Sequence, residues 1–266
     1  MKDNSCIGVF DSGVGGLSVW RELVALMPNE STVYYADSAY CPYGPKTQQE
    51  IINRSSKIVD FLLQQGAKLI VVACNTATAA AIDYLRANYS IPFVGMEPAV
   101  KPAAFNTKNG KIGVLATKGT FNGRLFLETS NKYASDLHLE IQVGEGFVEL
   151  VEAGELDTDN AERIVKASVI PLLDRGIDQL VLACTHYPFL CETIKKVSAG
   201  KNINIINPAP SVAKQACNLL QQHNLKSSDN RKSTHHFYSS LDTKVLQLLV
   251  DTIVEDNTYK FEVKSL

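Results

Sequence analysis

No stretch of this 266-residue chain reaches the roughly 18 consecutive apolar positions of a membrane helix. The longest apolar run, Leu69 to Ile82, is broken by Asn75, Thr76 and Thr78. No Cys-x-x-Cys pair occurs among the six cysteines, so the pattern gives no support for a zinc site and fits reduced thiols. No basic excess is present: 26 Lys and Arg face 28 Asp and Glu, a formal charge of -2, which argues against a nucleic-acid partner. Met1 to Phe10 has one lysine and a short apolar run, without the longer apolar region or small-residue cleavage site of a signal peptide. The expectation is a cytoplasmic protein that engages neither membrane nor nucleic acid. A hydrophobic fraction of 45% and a charged fraction of 20% are those of an ordinary globular protein. At about 150 residues per domain the length suits one large domain or two small ones.

What is present is an alternation of short β-rich runs with longer helical ones. Strands are predicted at Cys6–Phe10, Thr32–Ala36, Lys68–Ala73, Lys111–Leu115, Leu139–Val143, Gln179–Ala183 and Asn202–Ile206. Most are continuous runs of Val, Ile and Leu, as expected where helices cover both faces of a sheet. Thr47 and Glu50 form a capping box for a helix that Gly66 ends. Further helices are predicted over Leu17–Leu26, Thr78–Asn88, Phe121–Lys132, Asp159–Asp174, Phe189–Ser198 and Ser211–Gln222, and a polar surface loop over Asn224–Ser233. This order implies an α/β fold with mainly parallel sheets. A repeat divides it. Ile7-Gly8-Val9-Phe10 matches Ile112-Gly113-Val114-Leu115, and Leu69 to Thr76 matches Gln179 to His186 at a nearly equal offset. Two related halves are expected, with a site in the cleft between them.

The stronger match ends in Ala73-Cys74-Asn75-Thr76 and Ala183-Cys184-Thr185-His186. Both cysteines stand at carboxyl ends of strands, where parallel sheets bind ligands. A helix opening there offers amide donors and a positive dipole end, which lower a thiol's pKa and attract carboxylates. Each cysteine alone could equally be a buried packing residue. Asp11-Ser12-Gly13-Val14-Gly15-Gly16 follows the first strand and lacks the spacing of a dinucleotide fingerprint. It is either a glycine turn capped by Asp11 or a loop that admits a ligand, with Asp11 holding an ammonium or assisting a thiol. Pro42-Tyr43-Gly44-Pro45 can be an ordinary turn or can present amides and a phenol to an anion. His186, two residues after Cys184, can reach the thiol. Glu152 reads as an exposed helix carboxylate. Cys6, Cys41, Cys191 and Cys217 lack a comparable pairing, although Cys41 adjoins the Pro42 turn and can lie near the cleft.

Two thiols on opposite faces of a carbon suit inversion of that centre. One takes a proton from one face and the other returns a proton to the opposite face. Oriented dipoles must then stabilise the carbanion-like transition state.

The ordered motifs Asp11 to Leu17, Pro42-Tyr43-Gly44, Ala73 to Ala79, Gly95-Met96-Glu97-Pro98 and Ala183 to Pro188 resemble the glutamate racemase family. The resemblance covers most of Ile7 to Ile206. It implies a cofactor-independent, metal-free isomerase that supplies D-glutamate for peptidoglycan, with L- or D-glutamate as its small-molecule partner and a homodimer as its assembly. It implies two pseudo-symmetric α/β domains, one of residues 1–97 plus 208–266 and one of 98–207. Cys74 would act on D-glutamate and Cys184 on L-glutamate, with Asp11 assisting Cys74, His186 assisting Cys184, and Glu152 as a further catalytic carboxylate. Asp11, Ser12, Tyr43, Gly44, Asn75, Thr76, Thr117, Thr185 and His186 would contact substrate. Competing readings are a racemase of aspartate or another acidic amino acid, a thiol hydrolase using Cys184 and His186, and a binding module without catalysis.

Overall fold

The computed structural model describes residues 5–97, 99–121, 123–227, 233–253 and 259–266. Pro98 of the fourth motif and residues 228–232 of the expected polar loop lie outside the described residues. The elements in chain order are β1 (Cys6–Asp11), α1 (Leu17–Leu26), β2 (Thr32–Ala36), α2 (Gln48–Gln64), β3 (Ala67–Val72), α3 (Asn75–Asn88), β4 (Phe93–Gly95), α4 (Val100–Asn106), β5 (Lys111–Ala116), α5 (Lys118–Phe121) and α6 (Arg124–Tyr133). They continue with β6 (His138–Val143), α7 (Phe147–Glu152), α8 (Asp159–Asp174), β7 (Gln179–Ala183), α9 (Cys191–Val197), β8 (Asn204–Ile206), α10 (Ala209–Gln222), β9 (His235–Ser239), α11 (Lys244–Ile253) and β10 (Tyr259–Val263).

Among the described residues two sheets result, with strand orders β10-β9-β2-β1-β3-β4 and β6-β5-β7-β8. Every pairing is parallel. The sequence repeat reappears as topology: β2-β1-β3-β4 in one sheet corresponds to β6-β5-β7-β8 in the other. The register repeats too. Ile7 pairs with Leu69 and Gly8 with Ile70, just as Ile112 pairs with Gln179 and Gly113 with Leu180. The halves do not pack independently. One apolar core joins Ile7, Val9, Leu69 and Val71 to Phe147, Leu180 and Leu182, and separate layers cover the remaining faces. Among the described residues no helix is long and apolar enough to cross a membrane.

Local chemistry explains where the elements depart from expectation. α3 starts at Asn75 rather than Thr78 because the Cys74 sulfur caps it, a role usually held by an oxygen. Gly123 splits the predicted Phe121–Lys132 helix; a Cβ there would stand 2.7 Å from that of Ala79. The predicted Phe189–Ser198 helix is a 3₁₀ turn over Tyr187–Leu190 followed by α9. The Thr47 capping box and the left-handed Gly66 are both present.

A register shift between Cys6 and Ile7 leaves Lys68 as the extra residue of β3. Its Nζ lies 2.6 Å from Glu30 Oε2, with both side chains almost wholly buried. Breaking one side of such a pair strands the other charge. Lys68→Met is expected to destabilise the fold by about 3–5 kcal/mol in urea unfolding, and Lys68→Met with Glu30→Leu to recover most of that loss.

Candidate active site

The carboxyl ends of both sheets converge on one cluster. β3 leads into Cys74 and β7 into Cys184, both buried free thiols. Cys74 Sγ accepts a hydrogen bond from the Ala77 amide at 3.4 Å. The thiol donates to Ser12 Oγ at 3.7 Å, and Ser12 Oγ donates to Asp11 Oδ1 at 3.0 Å. Asp11 Oδ2 accepts from Thr185 Oγ1 at 2.9 Å. A bonded path thus runs from one cysteine, through Ser12 and Asp11 at the end of β1, to the residue beside the other.

On the Cys184 side, Sγ and His186 Nδ1 are 3.8 Å apart, and His186 Nε2 lies 2.6 Å from Glu152 Oε1. Glu152 closes α7, and the same Oε1 accepts the Val14 amide of the glycine loop at 2.7 Å. Ser18 Oγ donates to the Thr185 carbonyl at 2.8 Å, and Thr76 and Thr117 hydroxyls meet at 3.0 Å. These contacts tie β1, α1 and α3 of the first half to the second half around the site.

The glycines of the loop are explained by crowding rather than by turn geometry. Gly13, Gly15 and Gly16 do not adopt left-handed φ. A Cβ on Gly13 would collide with the Glu152 carboxylate, and one on Gly15 with the His186 ring. The glycines therefore admit protein side chains of the opposite half.

Electrostatics divide the site. Burial pushes the Cys74 thiol up, the Asp11 charge adds to this, and the Ala77 amide and Ser12 offset only part of it. The expected lowering by the helix N-terminus is outweighed, so Cys74 retains its proton at neutral pH. Burial also raises Asp11, held back by the His186 charge and the Thr185 and Ser12 hydrogen bonds. Burial disfavours the His186 imidazolium, but hydrogen bonds with Cys184, Cys41 and Glu152 outweigh it and hold His186 well above the usual histidine value.

A match to the Asp/Glu/hydantoin racemase family model spans residues 7–216. A glutamate racemase of Herpetosiphon aurantiacus is 47% identical over 242 residues, 91% of this chain and 94% of that protein. The chain belongs to the Asp/Glu racemase family, in its glutamate racemase branch. Solved structures of that branch superpose closely. Escherichia coli glutamate racemase, in complex with L-glutamate and the activator UDP-MurNAc-Ala, gives a TM-score of 0.86 at 31% identity over 98% of both chains. The Francisella tularensis enzyme, in complex with D-glutamate, gives 0.84 at 28% identity over 99% of this chain and 98% of that one.

In this racemase-family chain Asp11, Ser12, Cys74, Asn75, Thr76, Cys184, Thr185 and His186 are all buried at the strand ends. Glu152, read from sequence alone as exposed, is bonded to His186 instead. Tyr43 is buried and its hydroxyl donates to Asp37 Oδ2 at 2.6 Å. That leaves the loop's amides, rather than the phenol, free for an anion. Gly44 faces Thr117, with 3.9 Å between the Thr117 Cβ and a Cβ built on Gly44. Cys41, expected near the cleft without a role, lies beside His186, and burial pushes its thiol up to about 11. Cys41, Glu152 and His186 place one ligand-capable atom each within 4.8 Å of one another. Such donors suit a borderline-soft divalent ion, but the His186–Glu152 hydrogen bond already engages two of the three.

Proposed function

We propose that this isomerase interconverts L- and D-glutamate by a two-base mechanism in which Cys74 and Cys184 serve opposite faces of Cα. The observation that carries the reading is the bonded path from Cys74 through Ser12, Asp11 and Thr185 to the Cys184–His186–Glu152 group. It gives each thiol its own acid–base partner, as a reaction run in both directions requires. Cys184 removes the proton of L-glutamate beside the His186 imidazolium. Cys74, which holds its proton at neutral pH, delivers it to the other face. D-glutamate follows the reverse route, with Asp11 relieving Cys74 through Ser12. Asn75 supports a polar ligand here: both atoms of its amide are buried without a hydrogen-bond partner. Such unpaired groups cost on the order of 1–3 kcal/mol, which a substrate carboxylate or ammonium at the α3 N-terminus removes. Ser12, the Tyr43–Gly44 amides, Thr76, Thr117 and Thr185 complete the proposed substrate shell, and amide dipoles supply the carbanion stabilisation.

The close relatives named above make glutamate the favoured substrate over aspartate, and comparing L-Glu with L-Asp turnover tests that choice. A thiol hydrolase would use Cys184 and His186 but give Cys74 no task. We further assign the protein to cytoplasmic D-glutamate supply for peptidoglycan, acting as a homodimer. The decisive measurement is L-glutamate in D2O, with chirality and deuterium followed together. Early D-product is expected to carry solvent deuterium while residual L-substrate carries much less. Equal early labelling of both enantiomers means a single base.

A further inference from the structure

Asp37, the residue after β2, is a buried carboxylate that the proton-transfer scheme leaves without a task. It lies at the site end of the sheet, where its amide donates to the Asp11 carbonyl at 3.0 Å. Its side chain is fully engaged. Arg54, from the middle of α2, donates Nη2 to Oδ1 at 2.6 Å and Nε to Oδ2 at 3.0 Å, a two-pronged pairing. Oδ2 also takes the Tyr43 hydroxyl at 2.6 Å. Arg54 is held in turn: Nη1 donates to the Leu266 carbonyl at 2.7 Å, and the Tyr40 ring lies 3.8 Å from its guanidinium carbon.

The geometry points to Asp37 and Arg54 as positioning residues that hold the Tyr43–Gly44 backbone in its substrate-binding position by clamping the Tyr43 hydroxyl. The inference rests on the proposed role of the Tyr43–Gly44 amides. A buried ion pair is an expensive way to gain stability alone, since desolvation consumes much of the attraction. Here its third bond goes to Tyr43, whose ring is buried in an apolar layer and whose carbonyl accepts the Lys46 amide at 3.0 Å, so that the hydroxyl adds the directional polar anchor of the Pro42–Pro45 turn. The Gly44 backbone, which has no side chain of its own to fix it, faces Thr117 and Gly119 of the opposite half. Loss of the clamp therefore loosens binding before it alters proton transfer.

The test is steady-state racemisation in both directions with Tyr43→Phe, Arg54→Lys and Asp37→Asn, alongside thermal unfolding. Tyr43→Phe leaves the Asp37–Arg54 pair in place, so it keeps the test valid should Asp37→Asn fail to fold. KM for both enantiomers is expected to rise about tenfold in Tyr43→Phe, with kcat changed far less. Arg54→Lys, which cannot reproduce the fork, is expected to raise KM similarly. Adding Arg54→Lys to Tyr43→Phe is expected to raise KM by less than the product of the single effects. Folded Tyr43→Phe with wild-type KM, or a loss confined to kcat, overturns the assignment while leaving the racemase reading intact. Wild-type protein that leaves glutamate unchanged removes both.

Discussion

Cys74→Ser and Cys184→Ser are each expected to lower kcat/KM for glutamate racemisation by about a thousandfold or more. A serine hydroxyl keeps the hydrogen-bonding geometry but is far too weak an acid and base at neutral pH to exchange a proton with Cα. The two directions must fall together. Enantiomers have equal free energies, so the equilibrium constant is one and the forward and reverse kcat/KM of any variant stay equal. The faces are separated instead by hydrogen exchange. Cys74→Ser retains Cys184 and is expected to introduce solvent deuterium slowly into L-glutamate without forming D-glutamate. Cys184→Ser is expected to label D-glutamate alone. The swapped pattern, D-glutamate labelled by Cys74→Ser and L-glutamate by Cys184→Ser, reverses the facial assignment, and exchange of the same enantiomer by both variants abolishes it. Full racemase activity in either variant removes that cysteine from the chemistry.

Much of this arrangement was legible in the sequence because the information is local. Continuous Val, Ile and Leu runs marked the central strands, and the Ala-Cys repeat predicted two strands that occupy equivalent places in their sheets with equivalent register. The short β4, the outer strands β9 and β10, and helices α4 and α11 escaped because local pattern does not specify them. His235-His236-Phe237-Tyr238-Ser239 becomes a strand by pairing with β2, 203 positions earlier at Thr32. The cap of α3 was hidden because it is a sulfur. Contacts across the cleft were the least visible. Nothing near Glu152 in the chain announces Val14 or His186, and nothing near Asp37 announces Arg54 as its partner. Cys41 was set aside for lack of a paired motif, whereas its relevance comes from the fold bringing it to His186. Which thiol holds its proton was not legible for a related reason: the helix end is visible in the sequence, but complete burial beside Asp11 is not.

His186 carries the other large expected effect. His186→Gln is expected to lower kcat by about a hundredfold to ten-thousandfold, because the amide can still bond Glu152 but cannot carry charge. The pH dependence separates charge from packing. The folded value of His186 lies well above its ordinary 6.5, owing to hydrogen bonds from Cys184, Cys41 and Glu152 that overcome burial. The stabilisation this provides is fully present below pH 6.5 and is lost as pH rises through the raised value. Glu152→Gln removes the carboxylate from Nε2, so the alkaline fall in both stability and kcat is expected to move to lower pH. Gly15→Ala reaches the same group without changing any titratable residue. Its backbone tolerates alanine, but the new methyl occupies the space of the imidazole ring. Displacing the ring costs about 1–3 kcal/mol of overpacking and pulls Nδ1 from Cys184. A kcat loss in Gly15→Ala that approaches that of His186→Gln, with KM nearly constant, places the requirement on the position of the ring. Wild-type kcat in a folded Gly15→Ala protein means that the loop yields and the His186–Cys184 separation of 3.8 Å is not what sets the rate.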